Sequence, residues 1–210
     1  MPDRNDLFYS INHVLSYLFC KLYFRISAKG LEHIPRTGPA IIAANHASYL
    51  DPFLVAVLIP RQVNFMARKD LWNKHILAWW IPRVHGFPIR RGILDREAIQ
   101  TALHILEQDQ ILILYPEGTR TMTGKLLPAL PGVGILAYRS KAPVIPAYIS
   151  GSFAAMSRNE ILPKPNKITV YYGPPIDINQ ELTLPEQKET YQNIASKIMG
   201  GIRALSPTRD

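Results

Sequence analysis

Only one cysteine, Cys20, occurs in the chain. A lone thiol cannot close an internal disulfide, so a packed core has to hold the fold, and a reducing compartment is the default. A secretory leader is not expected. Met1-Pro2-Asp3-Arg4-Asn5-Asp6 has no positive n-region, and Lys21 and Arg25 interrupt the apolar stretch behind it. The same interruptions leave no clean run of about 20 apolar residues for a transmembrane helix. A G-x-S-x-G elbow is absent, which argues against a serine hydrolase built on Ser48. His13, His33, His75, His85 and His104 are scattered without metal-ligand spacing, so no metal is expected. There is no internal repeat, no low-complexity tract and no obvious linker to a second compact domain. Nor is there a nucleic-acid fold signature or a basic helix. Trp72, Trp79 and Trp80 crowd into one apolar segment rather than forming a stacking platform for bases.

What is present is a chain of 210 residues, long enough for one well-filled domain. Hydrophobic residues make up 47% and charged residues 19%, which places it among globular rather than disordered sequences. The net charge of +8 favours an anionic partner, whether nucleic acid, a phosphorylated substrate or an anionic lipid surface, and composition alone does not choose among them. Residues 7–26 read as an amphipathic helix, with Phe8, Ile11, Leu15, Leu18, Leu22 and Ile26 recurring on one face. Tyr9, Tyr17 and Tyr23, with Lys21, Arg25 and Lys29, suit a bilayer interface. The alternative is a helix packed on the protein's own core. The expected organisation is a membrane-associating segment at 1–29 followed by an α/β domain at 30–210.

Beyond residue 29, short apolar runs alternate with helical patterns, which predicts a mixed central sheet flanked by helices. Strands are expected at 40–44, 63–67, 110–115, 144–149 and 168–172. Helices are expected at 52–59, 70–81 (stopped by Pro82), 94–108, 133–140 and 185–205.

Chemistry-bearing residues cluster where strands end. Asn45-His46-Ala47-Ser48-Tyr49-Leu50-Asp51 follows one strand and precedes one helix, the place where α/β sheets gather ligands. Histidine can accept and return a proton near neutrality, and an aspartate bonded to one ring nitrogen would fix its tautomer. A second reading stays open at this point. Asp51-Pro52 is also an N-cap followed by proline at the first helical position. Tyr115-Pro116-Glu117-Gly118-Thr119-Arg120 again follows a strand. Its Gly118 permits close backbone approach, and Arg120 offers a planar fork for phosphate. Gly86-Phe87-Pro88-Ile89-Arg90-Arg91-Gly92 pairs arginines beside glycine, fit for phosphate or simply a solvated basic turn. Val144-Ile145-Pro146-Ala147 alone is a core strand.

In this order the four segments resemble the phospholipid/glycerol acyltransferase family, over roughly residues 25–150. The resemblance rests on N-H-x-S-x-x-D, on an arginine block and on P-E-G-T-R, with a proline-containing strand after them. It implies His46 as general base and Asp51 as its orienter. It further implies Arg91 and Arg120 on the acceptor phosphate, with Glu117, Gly118 and Thr119 shaping that pocket. Pro146 would stand on the acyl-donor side. The implied reaction moves a fatty acyl group from an acyl-CoA or acyl carrier protein thioester to the hydroxyl of a lysophospholipid, 1-acylglycerol 3-phosphate above all, with no cofactor. Glycerol 3-phosphate, another lysolipid, or lipid binding without catalysis are the alternatives. The implied location is peripheral, on the cytoplasmic face of a membrane. One departure stands out. Where many members carry a phenylalanine-lysine pair before glycine, this chain has Ala129-Leu130-Pro131-Gly132, so a cation is missing unless Lys125 or Arg139 replaces it.

Overall fold

A computed structural model describes residues 4–90 and 95–207 of the chain. Its strands are β1 (Ser27–Lys29), β2 (Ala40–Ala44), β3 (Val63–Arg68), β4 (Gly86–Ile89), β5 (Ile111–Leu114), β6 (Val144–Ser150) and β7 (Thr169–Tyr172). They form one sheet in the order β1-β7-β6-β2-β5-β3-β4. The strands from β6 to β4 run parallel, whereas β7 is antiparallel to β6 and carries β1 parallel to itself. The helices are α1 (Arg4–Tyr23), α2 (Asp51–Ala56), α3 (His75–Arg83), α4 (Arg96–Glu107), α5 (Gly132–Ser140), α6 (Ser152–Ala155), α7 (Asn179–Leu182) and α8 (Lys188–Ala204). The mixed sheet flanked by helices is thus the architecture the alternating apolar runs predict.

The central strands β2 and β5 are apolar without alternation because helices cover both faces of the sheet. Strand pleating then sorts their side chains. Ala40, Ile42, Ala44, Ile111 and Ile113 join one core with Phe24, Ile26 and Leu54. Ile41, Ala43, Leu112 and Leu114 join the other, with Ala102, Leu136, Ile194 and Ile198 from α4, α5 and α8.

Several boundaries move. The helix expected over 70–81 is broken, because Lys74 is extended (φ −103°, ψ 109°) and separates a 3-10 turn at Lys69–Asn73 from α3. Pro82 does not stop α3, which ends one residue later with the Val84 N–H on the Trp80 and Ile81 carbonyls. Gly86–Ile89, read as part of a basic turn, is an edge strand paired with β3. Strand β1 is too short to show periodicity. It also moves the expected boundary at residue 29 into the sheet, since Ser27–Lys29 pairs with Thr169–Tyr171. Cys20, Phe24 and Ile26 lie in the main core, so α1 and the sheet share one interior.

Helix α1 divides its residues between two environments. Tyr9, assigned to a bilayer interface by its amphipathic ring, is buried instead: it stacks on His85 and accepts the Val63 N–H at 3.2 Å. Ile26 lies beyond the helix and is buried. Leu7, Ile11, Leu15, Leu18 and Leu22 remain exposed, Leu22 at 82%, as do Ile76 and Trp79 of α3. No helix among the described residues is long and apolar enough to cross a membrane.

Candidate active site

The register of the two central strands builds the site. Ala43 of β2 pairs with Leu114 of β5, so His46 and Glu117 each stand three residues beyond a matched pair, on adjacent loops. They meet there: the His46 N–H donates to Glu117 Oε1 at 2.8 Å. Glu117 Oε2 accepts the Leu127 N–H at 2.9 Å, and the Thr121 N–H donates to the His46 carbonyl at 2.9 Å. Asn45 ties the same loop to β6, donating to the Ile149 carbonyl and accepting the Ile149 N–H at 2.7 Å.

The structure decides between the two readings of Asp51. Its carboxylate does not cap α2, whose N-cap is Leu50 without a side-chain cap. The carboxylate turns back instead. Oδ2 lies 2.9 Å from His46 Nδ1 and accepts the Ala47 and Ser48 N–H groups at 2.7 Å each. Two backbone donors fix that oxygen as an acceptor, so Nδ1 carries the proton and Nε2 is left with its lone pair. Asp51 is fully buried and His46 is 7% exposed. The imidazole stacks on Tyr115, with ring centroids 4.2 Å apart. Burial, then the Asp51 charge, push the Tyr115 phenol well above its ordinary pKa.

His46 opens onto a cavity of about 1030 Å³ that runs past Phe53, Phe65, Ile81 and Val84 toward α1. Arg120 also lines this cavity. It is 4% exposed, lies 3.2 Å over the Tyr49 ring centroid, and its Nη1 has no hydrogen-bond partner among the described residues. Burial lowers its pKa, Tyr49 opposes that, and the charges of Arg158 and Arg68 lower it further. A buried arginine that keeps an unsatisfied donor in a cavity shared with a histidine–aspartate couple is suited to an anion.

Other expected site residues separate. Gly118 lines the cavity with φ +63°, a left-handed conformation that favours glycine, and the Leu130 side chain packs over it. Glu117 is a backbone clamp whose two oxygens are both used, and it does not line the cavity. Burial raises its pKa to about 7, partly offset by its two backbone hydrogen bonds. Thr119 is half-buried and stands outside the lining. Pro146 does as well: its ring faces Gly173 and Gly201, packed toward α8, and its carbonyl accepts the Gly173 N–H. Arg91 lies outside the described residues; its neighbour Arg90 reaches the cavity but is held by Asp95 and Glu97.

Neither substitute for the missing cation lines the cavity. Lys125 is exposed, and Arg139 pairs with Glu186 at 2.6 Å. Arg68, missed in the sequence, does line it, paired with Asp70 at 2.7 Å. The signal available was its position at the carboxyl end of a strand, on the same sheet edge as His46. Ser48 is fully buried and its Oγ accepts the Leu50 N–H; neither it nor Cys20 lines the cavity.

Comparison with known proteins identifies the family and the fold. A family model described as Acyltransferase matches residues 25–150. A 1-acyl-sn-glycerol-3-phosphate acyltransferase of Bacillus subtilis (strain 168) is 27% identical over 158 residues, covering 75% of this chain and 76% of the relative. One from Limnanthes alba is 32% identical over 169 residues, and the chain spans only 59% of that relative's length. Among solved structures, the 1-acyl-sn-glycerophosphate (LPA) acyltransferase PlsC from Thermotoga maritima shares the fold. Its TM-score is 0.76 at 23% identity, over 99% of this chain and 85% of that one.

Proposed function

The chain belongs to the acyltransferase family, and we propose that it carries a fatty acyl group from an acyl-CoA or acyl carrier protein thioester to the hydroxyl of 1-acylglycerol 3-phosphate, giving phosphatidic acid. The observation that carries this reading is the His46–Asp51 couple beside the unsatisfied Arg120 Nη1, both on one largely apolar cavity. The relatives named above support the acceptor.

His46 Nε2 takes the proton of the acceptor hydroxyl as its oxygen attacks the thioester carbonyl. The C–O bond forms, the C–S bond breaks, and the proton passes from His46 to the departing thiolate. Asp51, fixed by two backbone donors, stabilises the transient imidazolium. Arg120, with Arg68 near it, holds the phosphate in the cavity, and Arg91 pairs with the same phosphate, as the family resemblance implies. Gly118 and Thr119 shape the loop over the phosphate, and Glu117 holds the His46 backbone. Pro146 serves at a distance, through packing behind the sheet. No acyl-enzyme is formed: Ser48 and Cys20 are both buried, and burial pushes the Cys20 thiol up to about 12. The exposed apolar face of α1 supports a peripheral position on a membrane, where the lipid acceptor resides, and the family resemblance puts it on the cytoplasmic face.

The test is a panel of acceptors: glycerol 3-phosphate, lysophosphatidate and neutral lysolipids, each offered with both thioester types. Lysophosphatidate should turn over fastest. Absence of turnover with every pair would leave a lipid-binding protein as the better reading.

A further inference from the structure

Beyond the cavity and α1, the least explained surface is the loop between α6 and β7. Ile161 and Leu162 at its tip are 89% and 76% exposed, comparable to Leu22 and Ile76. The segment holding them is tightly built. The Lys164 N–H donates to the Ala155 carbonyl at 2.7 Å, closing the loop at its base. The Ser157 N–H donates to Glu160 Oε2 at 2.6 Å, and Lys164 pairs with Glu160. Asn166 donates to the Gly151 carbonyl at 2.8 Å. An anchored turn that presents two adjacent aliphatic side chains to solvent gives up the stabilisation of burying them unless something else covers them.

Three observations say what covers them. First, the loop is joined to α1: the Tyr23 hydroxyl donates to the Pro163 carbonyl at 2.9 Å, one residue from Leu162 and next to exposed Leu22. Second, its charge is positive. Arg158, Lys164 and Lys167 flank the tip, and Glu160 alone opposes them. Third, it stands within electrostatic range of the site, since the Arg158 charge acts on Arg120. Aliphatic tip, basic flanks and continuity with an exposed apolar helix face match the interface of an anionic bilayer.

We propose that the Ile161–Leu162 turn is a second bilayer-contacting element, seated in an anionic membrane beside α1 so that the Arg120 end of the cavity faces the lipid surface. The inference rests on the reading of the acceptor as a membrane lipid. With contacts at α1 and at this turn, the protein is held in one orientation rather than rolling about a single helix.

Cys20 is buried, so Ile161→Cys can carry the single label, an environment-sensitive fluorophore, on the full chain. Vesicles of phosphatidylcholine with phosphatidylglycerol should blue-shift its emission and shield it from an aqueous quencher. The double variant Ile161→Ser/Leu162→Ser should lose roughly 10- to 100-fold in vesicle partition. It should also lose turnover on vesicle-embedded lysophosphatidate, yet match wild type on a soluble short-chain lysophosphatidate. That last arm separates this inference from the proposed chemistry: no turnover on the soluble acceptor by wild type would instead refute the acyl-transfer reading. A label that stays water-exposed while the protein sediments with vesicles would overturn the proposal. So would a shift that needs only higher protein concentration, which would assign the turn to a second copy of the chain.

Discussion

Replacing Glu117 by glutamine separates its structural charge from its shape. The carboxylate accepts from His46 N–H and Leu127 N–H, one on each oxygen. Glutamine has one oxygen, so its amide nitrogen must face one of those donors, and a buried N–H left without an acceptor costs about 1–3 kcal/mol. Ionisation works in the other direction. Burial raises the Glu117 pKa from 4.5 to about 7, so the fold favours the neutral acid. Below 4.5 both folded and unfolded chains hold that proton, and nothing is lost. As pH rises from 4.5 to 7, the unfolded chain releases it first, and wild-type stability falls. Each pH unit across that window costs about 1.36 kcal/mol, so the fall reaches about 3 kcal/mol at most, and partial solvation reduces it. Glu117→Gln cannot titrate, so the stability difference between the two proteins should change by most of that amount between pH 5 and pH 8, whatever its offset. Urea midpoints followed by tryptophan fluorescence at pH 5, 6, 7 and 8 measure it. Turnover should show the opposite trend. Wild type should gain activity through pH 7 as the clamp ionises, while the variant, with the His46 backbone displaced, should lose roughly 100-fold. Parallel stability curves for the two proteins would refute the reasoning.

Other substitutions probe the remaining parts. His46→Ala should reduce kcat by about 10²–10⁴-fold with thioester binding intact, and steady-state kinetics should be sequential; a trapped acyl-protein seen by mass spectrometry would contradict this. Arg120→Ala should raise KM for the phosphorylated acceptor roughly 10- to 100-fold and leave KM for the thioester nearly unchanged. Arg68→Ala should do less, because Asp70 already holds that guanidinium. Maleimide should leave the native protein active and modify Cys20 only on unfolding, given its burial and a pKa pushed up to about 12; rapid inactivation of the native protein would count against the packing of α1.

Sequence patterning by itself determined the fold class and the loops on which the polar blocks sit. Ala40–Ala44 and Ile111–Leu114 are apolar along their whole length, which only strands covered on both faces need be. The polar blocks therefore had to emerge where those strands end. Whether Asp51 oriented a histidine or capped a helix was beyond the sequence, because both uses suit Asp-Pro; only the path of the 46–51 turn, with Oδ2 on two backbone N–H groups, decided it. Glu117 as a clamp rather than a pocket wall likewise depends on the β2–β5 register, a contact between residues 71 positions apart. Pro146 entered the site only through the resemblance, and the pleat of β6 turns its ring toward α8. Arg68 is the converse case. Its position just past an apolar run placed it at the carboxyl edge of the sheet, but its place beside Arg120 comes from the crossover that lays β5 between β2 and β3.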